Sequence, residues 1–331
     1  MKAEAALLQE VVPDACLRGP RGKGCQRYLS GLVDARICEG LEQGPCADAA
    51  YRQHLSLQRV PGGGAWLTAP PAEDGRHMDP DLFRVAVARR LRLRVFDAAF
   101  WCPFCGEVMD VYGDHALVCP CQGDRTVRHN KIRDILWEES RAAGMDTTKE
   151  KANLLPARPQ EDGLTDGGAR RPADIWWAGG VGSRGVAWDF AITSGMRKER
   201  LHDLGLNVRA VFEDYEDYKR SYKDTERQCK DQGFSFQPLV VEAHGGGWSK
   251  AFRAVVEEVA RRQRAVWNDG YEEPSLRIAQ RLSISIHAEN ARAVLRRSPP
   301  PEEAAVGVAG WGTACESQED YPSEVEGVGS T

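Results

Sequence analysis

KEKANLLP (residues 149–156), RRPADIWWA (170–178) and GVAWDFAIT (185–193) are three short runs rich in apolar and aromatic residues, set apart by Gly-rich or acidic loops. Such runs read as strands. Working outward, RTVRHNKIRDILWEESRAAG (125–144) places Ile132, Ile135, Leu136 and Trp137 on one helical side and ends at Gly144, which predicts a helix ahead of the strands. On the far side, a polar segment from about Arg197 to Gln232 carries Val211, Tyr215, Tyr218, Tyr222 and Cys229 at helical spacing and closes at Gly233. FSFQPLVVEAH (234–244) is the most β-prone run of the chain. The order helix, three strands, helix, strand, followed by two helices over residues 248–267 and 275–297, predicts an α/β core.

Polar residues inside that core need a reason. Asp174 closes RRPAD, Asp189 interrupts WDFAIT, and Glu150 begins the first strand. A carboxylate in an apolar strand is costly unless it is paired or bound to metal. Each acid alone reads as a salt-bridged or edge residue; together, on three neighbouring strands, they could converge on a divalent cation. Arg128 and His129, at the start of the preceding helix, read either as phosphate contacts near the helix N-terminus or as surface polar residues.

Ahead of the core lies Cys102-Pro-Phe-Cys105, then His115 and Cys119, a Cys-x2-Cys-x9-His-x3-Cys spacing. A CxxC turn delivers two thiolates from one knuckle and a short return segment delivers two more ligands, which suits tetrahedral Zn2+. So small a loop has little core without a metal. Cys121 rivals Cys119 as the fourth ligand. The other cysteines of the N-terminal part, Cys16, Cys25, Cys38 and Cys46, are too scattered to suggest a site. Before the knuckle, DPDLFRVAVARRLRLRVF (79–96) predicts a basic amphipathic helix. Its Arg84, Arg89, Arg90, Arg92 and Arg94 face either phosphates or solvent.

The chain has 331 residues, about two domains' worth. Residues 1–78, with GPRGKG at 19–24 and PGGG at 61–64, predict a poorly ordered segment with short helices at most. Residues 79–124 form the basic helix and knuckle, residues 125–298 the α/β domain, and residues 299–331 an acidic disordered tail. Lys and Arg total 44 and Asp and Glu 49, a net of −5. Seven of the acids fall in residues 301–331, which hold no Lys or Arg, so residues 1–300 carry 44 basic against 42 acidic side chains, a net of +2. The near-neutral body therefore does not exclude a nucleic-acid partner. No apolar run approaches membrane-spanning length, and Glu4, Gln9 and Glu10 interrupt any signal-like start, so the expected compartment is nuclear or cytoplasmic.

CPFCGEVMDVYGDHALVC (102–119), RTVRHNKIRD, RRPAD, DFAIT, a KxxY step from Lys219 to Tyr222 and FSFQPLVVEAHGG, in that order, resemble the C-terminal region of reverse-transcriptase-encoding non-LTR retrotransposon proteins. The likeness covers about residues 65–297. That region joins a CCHC zinc knuckle to a restriction-like endonuclease of the PD-(D/E)XK class. The resemblance implies that Asp174 and Asp189 bind catalytic Mg2+ or Mn2+, with Glu150 assisting. Where many relatives of the wider class have lysine two residues after the second acid, this chain has Ala191. The resemblance puts the lysine on the following helix at Lys219, beside Tyr222, with Lys198 and Lys223 as rivals. No YxDD-type polymerase motif occurs, so the chain resembles a detached C-terminal piece. The implied partner is DNA, with element RNA a second candidate. Three functions are carried forward: a metal-dependent DNA endonuclease, a non-catalytic zinc-containing nucleic-acid-binding remnant of a mobile element, and an interaction protein using the scaffold and acidic tail.

Overall fold

In the computed structural model, which describes residues 25–44, 48–71, 75–156, 172–179, 184–197, 208–266 and 273–298, the elements run α1 (Cys25–Gln43), α2 (Ala49–Gln58), α3 (Pro80–Arg90), β1 (Phe100–Trp101), β2 (Val108–Met109), α4 (Asp114–Val118), α5 (Asp124–Ala142), β3 (Thr147–Lys149), β4 (Ile175–Trp177), β5 (Val186–Thr193), α6 (Val208–Ser221), α7 (Thr225–Asp231), β6 (Ser235–Glu242), α8 (Lys250–Val266) and α9 (Pro274–Leu295). β1 and β2 form a hairpin; the other strands form one sheet in the order β3-β4-β5-β6. β3 and β5 both run antiparallel to β4, and β6 runs parallel to β5. The chain is thus a mixed α/β protein, as its element order predicts. Among the described residues no helix is long and apolar enough to cross a membrane.

Strand periodicity sorts the sheet's two faces. Ile175, Trp188, Phe190, Leu239 and Val241 pack with Ile132 and Leu136 of α5, Phe252 and Val256 of α8, and Ile278 and Leu282 of α9. Alternate residues face the other way, where Ala191 and Val240 meet Phe212 of α6, and Ala187 and Phe236 meet Cys229 of α7. Asp189 falls between Ala187 and Ala191 in this alternation, so it belongs to the α6 face. A buried ionic cross-link ties the helices together: Glu139 of α5, 1% exposed, accepts from Arg277 at 2.7 and 2.6 Å and from Gln263 at 2.8 Å, and also pairs with Arg281.

Several boundaries differ from the sequence reading. The first strand ends at Lys149 instead of beginning there. Glu150 adds one more ladder bond, donating its N–H to Asp174 O at 2.9 Å, but its φ of +47° turns the chain away. The helix expected over 79–96 stops at Arg90; Arg92 is left-handed at φ +56°, and the N–H groups of Val95 and Phe96 then pair with Val111 O of the knuckle. The segment expected to be one helix from 197 to 232 has residues 198–207 outside the described residues, and it breaks at Lys223 and Asp224, both left-handed. Its presumed single face therefore divides: Val211 and Cys229 are buried, whereas Tyr218 and Tyr222 are exposed. Within residues 1–78, α1 spans 19 residues, and α2 with the PGGG segment packs onto the core, burying Leu57 and Trp66. The tail at 299–331 lies outside the described residues.

Two buried histidines mark the closure of that N-terminal segment. His54 of α2 donates to Arg90 O at 3.0 Å and His287 of α9 donates to Gly63 O at 3.1 Å. Burial is the main force pushing each down to about 4. A base whose pKa is depressed on folding favours the unfolded state once it must protonate. Its stabilisation is thus intact above about pH 6.5 and lost as pH falls towards 4. Each histidine is expected to cost roughly 3 kcal/mol of stability across that window. Urea unfolding at pH 7.5 and 4.5 checks this, because His287→Gln retains a donor for Gly63 O and should show the smaller pH slope. Equal slopes in wild type and variant would reject the assignment.

Candidate functional site

The carboxylates predicted from the strand runs lie near the start of β4. The ladders pair Lys149 with Ile175 and Ile175 with Trp188; beyond them Glu150 N–H donates to Asp174 O at 2.9 Å, and Asp174, which directly precedes β4, donates its own N–H to Trp188 O at 2.9 Å, so the regular register ends before Asp174 and brings it beside the β5 residues that follow Trp188. β5 outlasts β4, and the polar edge of Phe190 that extends beyond the ladder is taken up by side chains. Phe190 N–H donates to Asp174 Oδ2 at 2.6 Å, and Phe190 O lies 3.2 Å from His129 Nε2. The same ring nitrogen is 3.2 Å from Asp174 Oδ2.

From the other side of the sheet, Lys219 on α6 brings its ammonium 2.8 Å from Asp189 Oδ2. The contact is a close ion pair to a buried oxygen. Burial pushes Asp189 up to about 6, and the charge of Asp174 adds to the shift against the pull of Lys219. Burial works against the Lys219 ammonium, but the Asp189 carboxylate outweighs it and raises its pKa. Burial likewise opposes the charged form of His129, and the hydrogen bond and charge of Asp174 overcome that and raise it. Asp174, Asp189, Lys219 and His129 therefore form one electrostatically coupled cluster.

Other expected members stand elsewhere. The Glu150 side chain is drawn to the Arg133 guanidinium of α5, a mostly buried cation that needs a counter-charge. The three acids do not converge. Tyr222 lies in the turn after α6, its ring 5.5 Å from that of Tyr218. Of the rival lysines, Lys198 lies outside the described residues, and Lys223 sits over the Tyr222 ring at 5.7 Å. Arg128 is no phosphate contact: it is buried, donating to Asn290 Oδ1 at 2.6 Å and Leu117 O at 2.8 Å, and burial pushes it down to about 10. His129 serves Asp174. The helix arginines are also mostly spent internally, Arg84 on Asp81, Arg90 on Gln58 at 2.7 Å, and Arg89 and Arg92 on Asp114 at 3.3 and 2.6 Å.

The knuckle residues do gather. The ligand atoms of Cys102, Cys105, His115 and Cys119 all lie within 4.8 Å of one another, and no other group of three or more Cys, His, Asp or Glu does so among the described residues. Cys105 Sγ is 3.1 Å from His115 Nε2 and 3.6 Å from Cys119 Sγ. The β1–β2 hairpin supplies the CxxC turn, closed by Cys102 N–H to Glu107 O at 2.8 Å and Gly106 N–H to Cys102 O at 3.0 Å, with Gly106 left-handed at φ +75°. α4 supplies His115, and Cys119 directly follows it. Cys121 stands outside the set, its carbonyl accepting from Arg297 at 3.3 Å. Burial, with the neighbouring thiols, pushes Cys105 up to about 11, so thiolates there require a compensating cation. Burial holds His115 below its usual value, in the neutral form that ligates. The cluster can hold a metal such as zinc.

Two supports of this knuckle went unread in the sequence. Asp110 accepts from the N–H groups of Tyr112 at 2.9 Å, Asp114 at 3.1 Å and His115 at 2.9 Å, which fixes the start of α4 and the position of His115. An Asp a few residues before a helix is a capping signal that could have shown it. Asp114 in turn meets His244 Nε2 at 3.2 Å beyond the end of β6, and His244 Nδ1 lies 3.5 Å from Glu242, linking knuckle to sheet. No protein-family model matches the chain, and no curated protein matches it.

Proposed function

We propose that the chain is a divalent-metal-dependent DNA endonuclease with a PD-(D/E)XK core, related to the C-terminal region of non-LTR retrotransposon proteins, in which the Cys102–Cys105–His115–Cys119 cluster holds a structural zinc. The observation that carries this reading is the gathering of Asp174, at the start of β4, and Asp189 of β5 into one charged cluster, with the Lys219 ammonium 2.8 Å from Asp189. The mixed order β3-β4-β5-β6 with α5 before it and α6 within it agrees with such a core. The donor set suits Mg2+ or Mn2+: hard carboxylate oxygens, one of them buried beside the Lys219 ammonium.

Asp174 and Asp189 would hold the ion. When bound, it polarises a phosphoryl oxygen and lowers the pKa of an attacking water. Lys219, kept charged by Asp189, stands ready to offset the negative charge that gathers on the phosphate during cleavage. The Phe190 N–H and His129 fix the Asp174 carboxylate, so little reorganisation is left for the reaction itself.

The test is conversion of supercoiled plasmid to nicked circles with and without Mg2+ or Mn2+. Asp174→Asn keeps the size and removes the charge, so nicking is expected to fall by roughly 10²–10³-fold while DNA binding in a gel shift persists. Nicking at the wild-type rate by the variant would remove Asp174 from the chemistry. A wild-type chain that binds DNA but nicks it with neither ion would instead be a zinc-containing nucleic-acid-binding protein.

A further inference from the structure

Arg297, just beyond the end of α9, is fully buried. Its guanidinium turns inward and gathers four segments of the chain. It donates to Ala293 O of α9 at 2.7 Å, to Asp124 Oδ2 at the start of α5 at 2.6 Å and to Cys121 O at 3.3 Å. Its central carbon stands 5.0 Å from the centre of the Phe104 ring, in the turn between Cys102 and Cys105. The same side chain hydrogen-bonds Cys119. Burial works against the Arg297 charge, but the bonds to Cys119 and Asp124 outweigh it and raise its pKa.

A buried cation needs a counter-charge, and Asp124 does not supply all of it. Arg296 pairs with the same carboxylate, so two guanidinium groups on one carboxylate leave a positive charge over. Zn2+ held by three thiolates and a neutral imidazole leaves a negative charge over. Resting on the reading of Cys102, Cys105, His115 and Cys119 as a zinc site, we infer that Arg297 is the outer cation of that site, a positioning residue that offsets its excess charge and holds Cys119 on the metal through an N–H···S bond. Groups that bond to a metal's ligands set their orientation and tune the metal's affinity. Metal retention in the knuckle is thereby coupled to the packing of the end of α9 on α5, since loss of zinc removes half of the counter-charge that Arg297 has.

The experiment uses the full chain loaded with Zn2+, titrated against a chromophoric chelator, or with Co2+, whose sulfur-to-metal charge-transfer band reports electron density at the thiolates. Arg297→Gln keeps N–H donors for Cys121 O and Ala293 O and removes the charge. It should bind Zn2+ about 10–100-fold more weakly than wild type, and its Co2+ band should move to longer wavelength, because thiolate electrons no longer held by the cation pass more easily to the metal. Arg297→Met should do the same. Arg296→Met is the control: its arginine shares Asp124 but is 40% exposed, so the Zn2+ affinity should stay within about fivefold, as for an exposed ion pair, with the band in place. Arg297→Lys restores a charge and should recover part of the lost affinity. A merely structural arginine would lower the urea midpoint and leave the sulfur electronics alone. An unmoved band in whichever of Arg297→Gln and Arg297→Met folds therefore overturns the inference, as does a lysine that binds Zn2+ no better than the glutamine. A wild-type chain that takes up neither Zn2+ nor Co2+ overturns the zinc reading and the inference together.

Discussion

A chain carrying Cys102→Ser is expected to retain no zinc and to lose the fold of residues 100–119, the largest single effect predicted for this molecule. The hairpin that carries the CxxC turn has strands of two residues each, too short to persist alone. Zinc held by three thiolates and an imidazole contributes apparent free energies on the order of 10 kcal/mol to such modules. The loss should spread. Cys102, Met109, Leu117 and Cys119 share one cluster with Val85, Phe96, Ala293 and Val294, and Asp114 is the shared partner of Arg89, Arg92 and His244. Unfolding the knuckle strands these cations. Metal analysis of the purified chain should give one zinc in wild type and in Cys121→Ser, and none in Cys102→Ser. A chelator should lower the melting temperature of wild type towards that of the variant. One zinc retained by Cys102→Ser, or none in Cys121→Ser, would reject the ligand set.

The contrast between Cys119 and Arg128 explains what the sequence could disclose. Cys119 was legible, though not separable from Cys121, because metal ligands in a knuckle are close in the chain and their spacing reflects the tetrahedron. Asp174 and Asp189 stood out for a similar reason: charge in or beside an apolar run is conspicuous, although the turn of backbone that carries Asp174 just before β4 was not to be read from the run. Arg128 was not, because its partners Leu117 and Asn290 lie 11 residues before it and 162 after it, and only tertiary packing brings them together. The basic helix shows the same limit. Its arginines look like a phosphate-binding face until Asp114, Tyr112 and Gln58 are placed beside them. Glu150 was read as the start of the first strand, but it follows β3 at a left-handed φ of +47°, and its side chain goes to Arg133.

The N-terminal PGGG run is the case where composition misled most, and it yields the second large effect. Glycines there read as part of a poorly ordered segment, yet Gly63, and Gly245 after β6, are needed because backbone passes where a side chain would begin. A Cβ on Gly245 would lie 2.2 Å from Leu57 O, and one on Gly63 would lie 2.0 Å from Gly245 O. Neither obstacle is a flexible side-chain tip, so relief requires two backbone segments to separate. Separation would expose Leu57, now fully buried, and pull Gly63 O from Ser283 and His287, which donate to it at 2.8 and 3.1 Å. It would also disturb Gly245 N–H, which donates to the buried Glu242 carboxylate at 2.6 Å. Gly245→Ala is therefore expected to destabilise the chain by about 4 kcal/mol or more, beyond the usual cost of overpacking and a large share of the 5–15 kcal/mol typical of a folded domain. Gly40→Ala on α1 is the control, since its Cβ would meet nothing within 4 Å; there the helix should gain roughly 0.5–1 kcal/mol. Urea midpoints for the two variants decide the point. If Gly245→Ala unfolds within about 1 kcal/mol of wild type, the glycine turn after β6 does not clasp residues 57–63, and the stretch would be the poorly ordered segment its composition suggests.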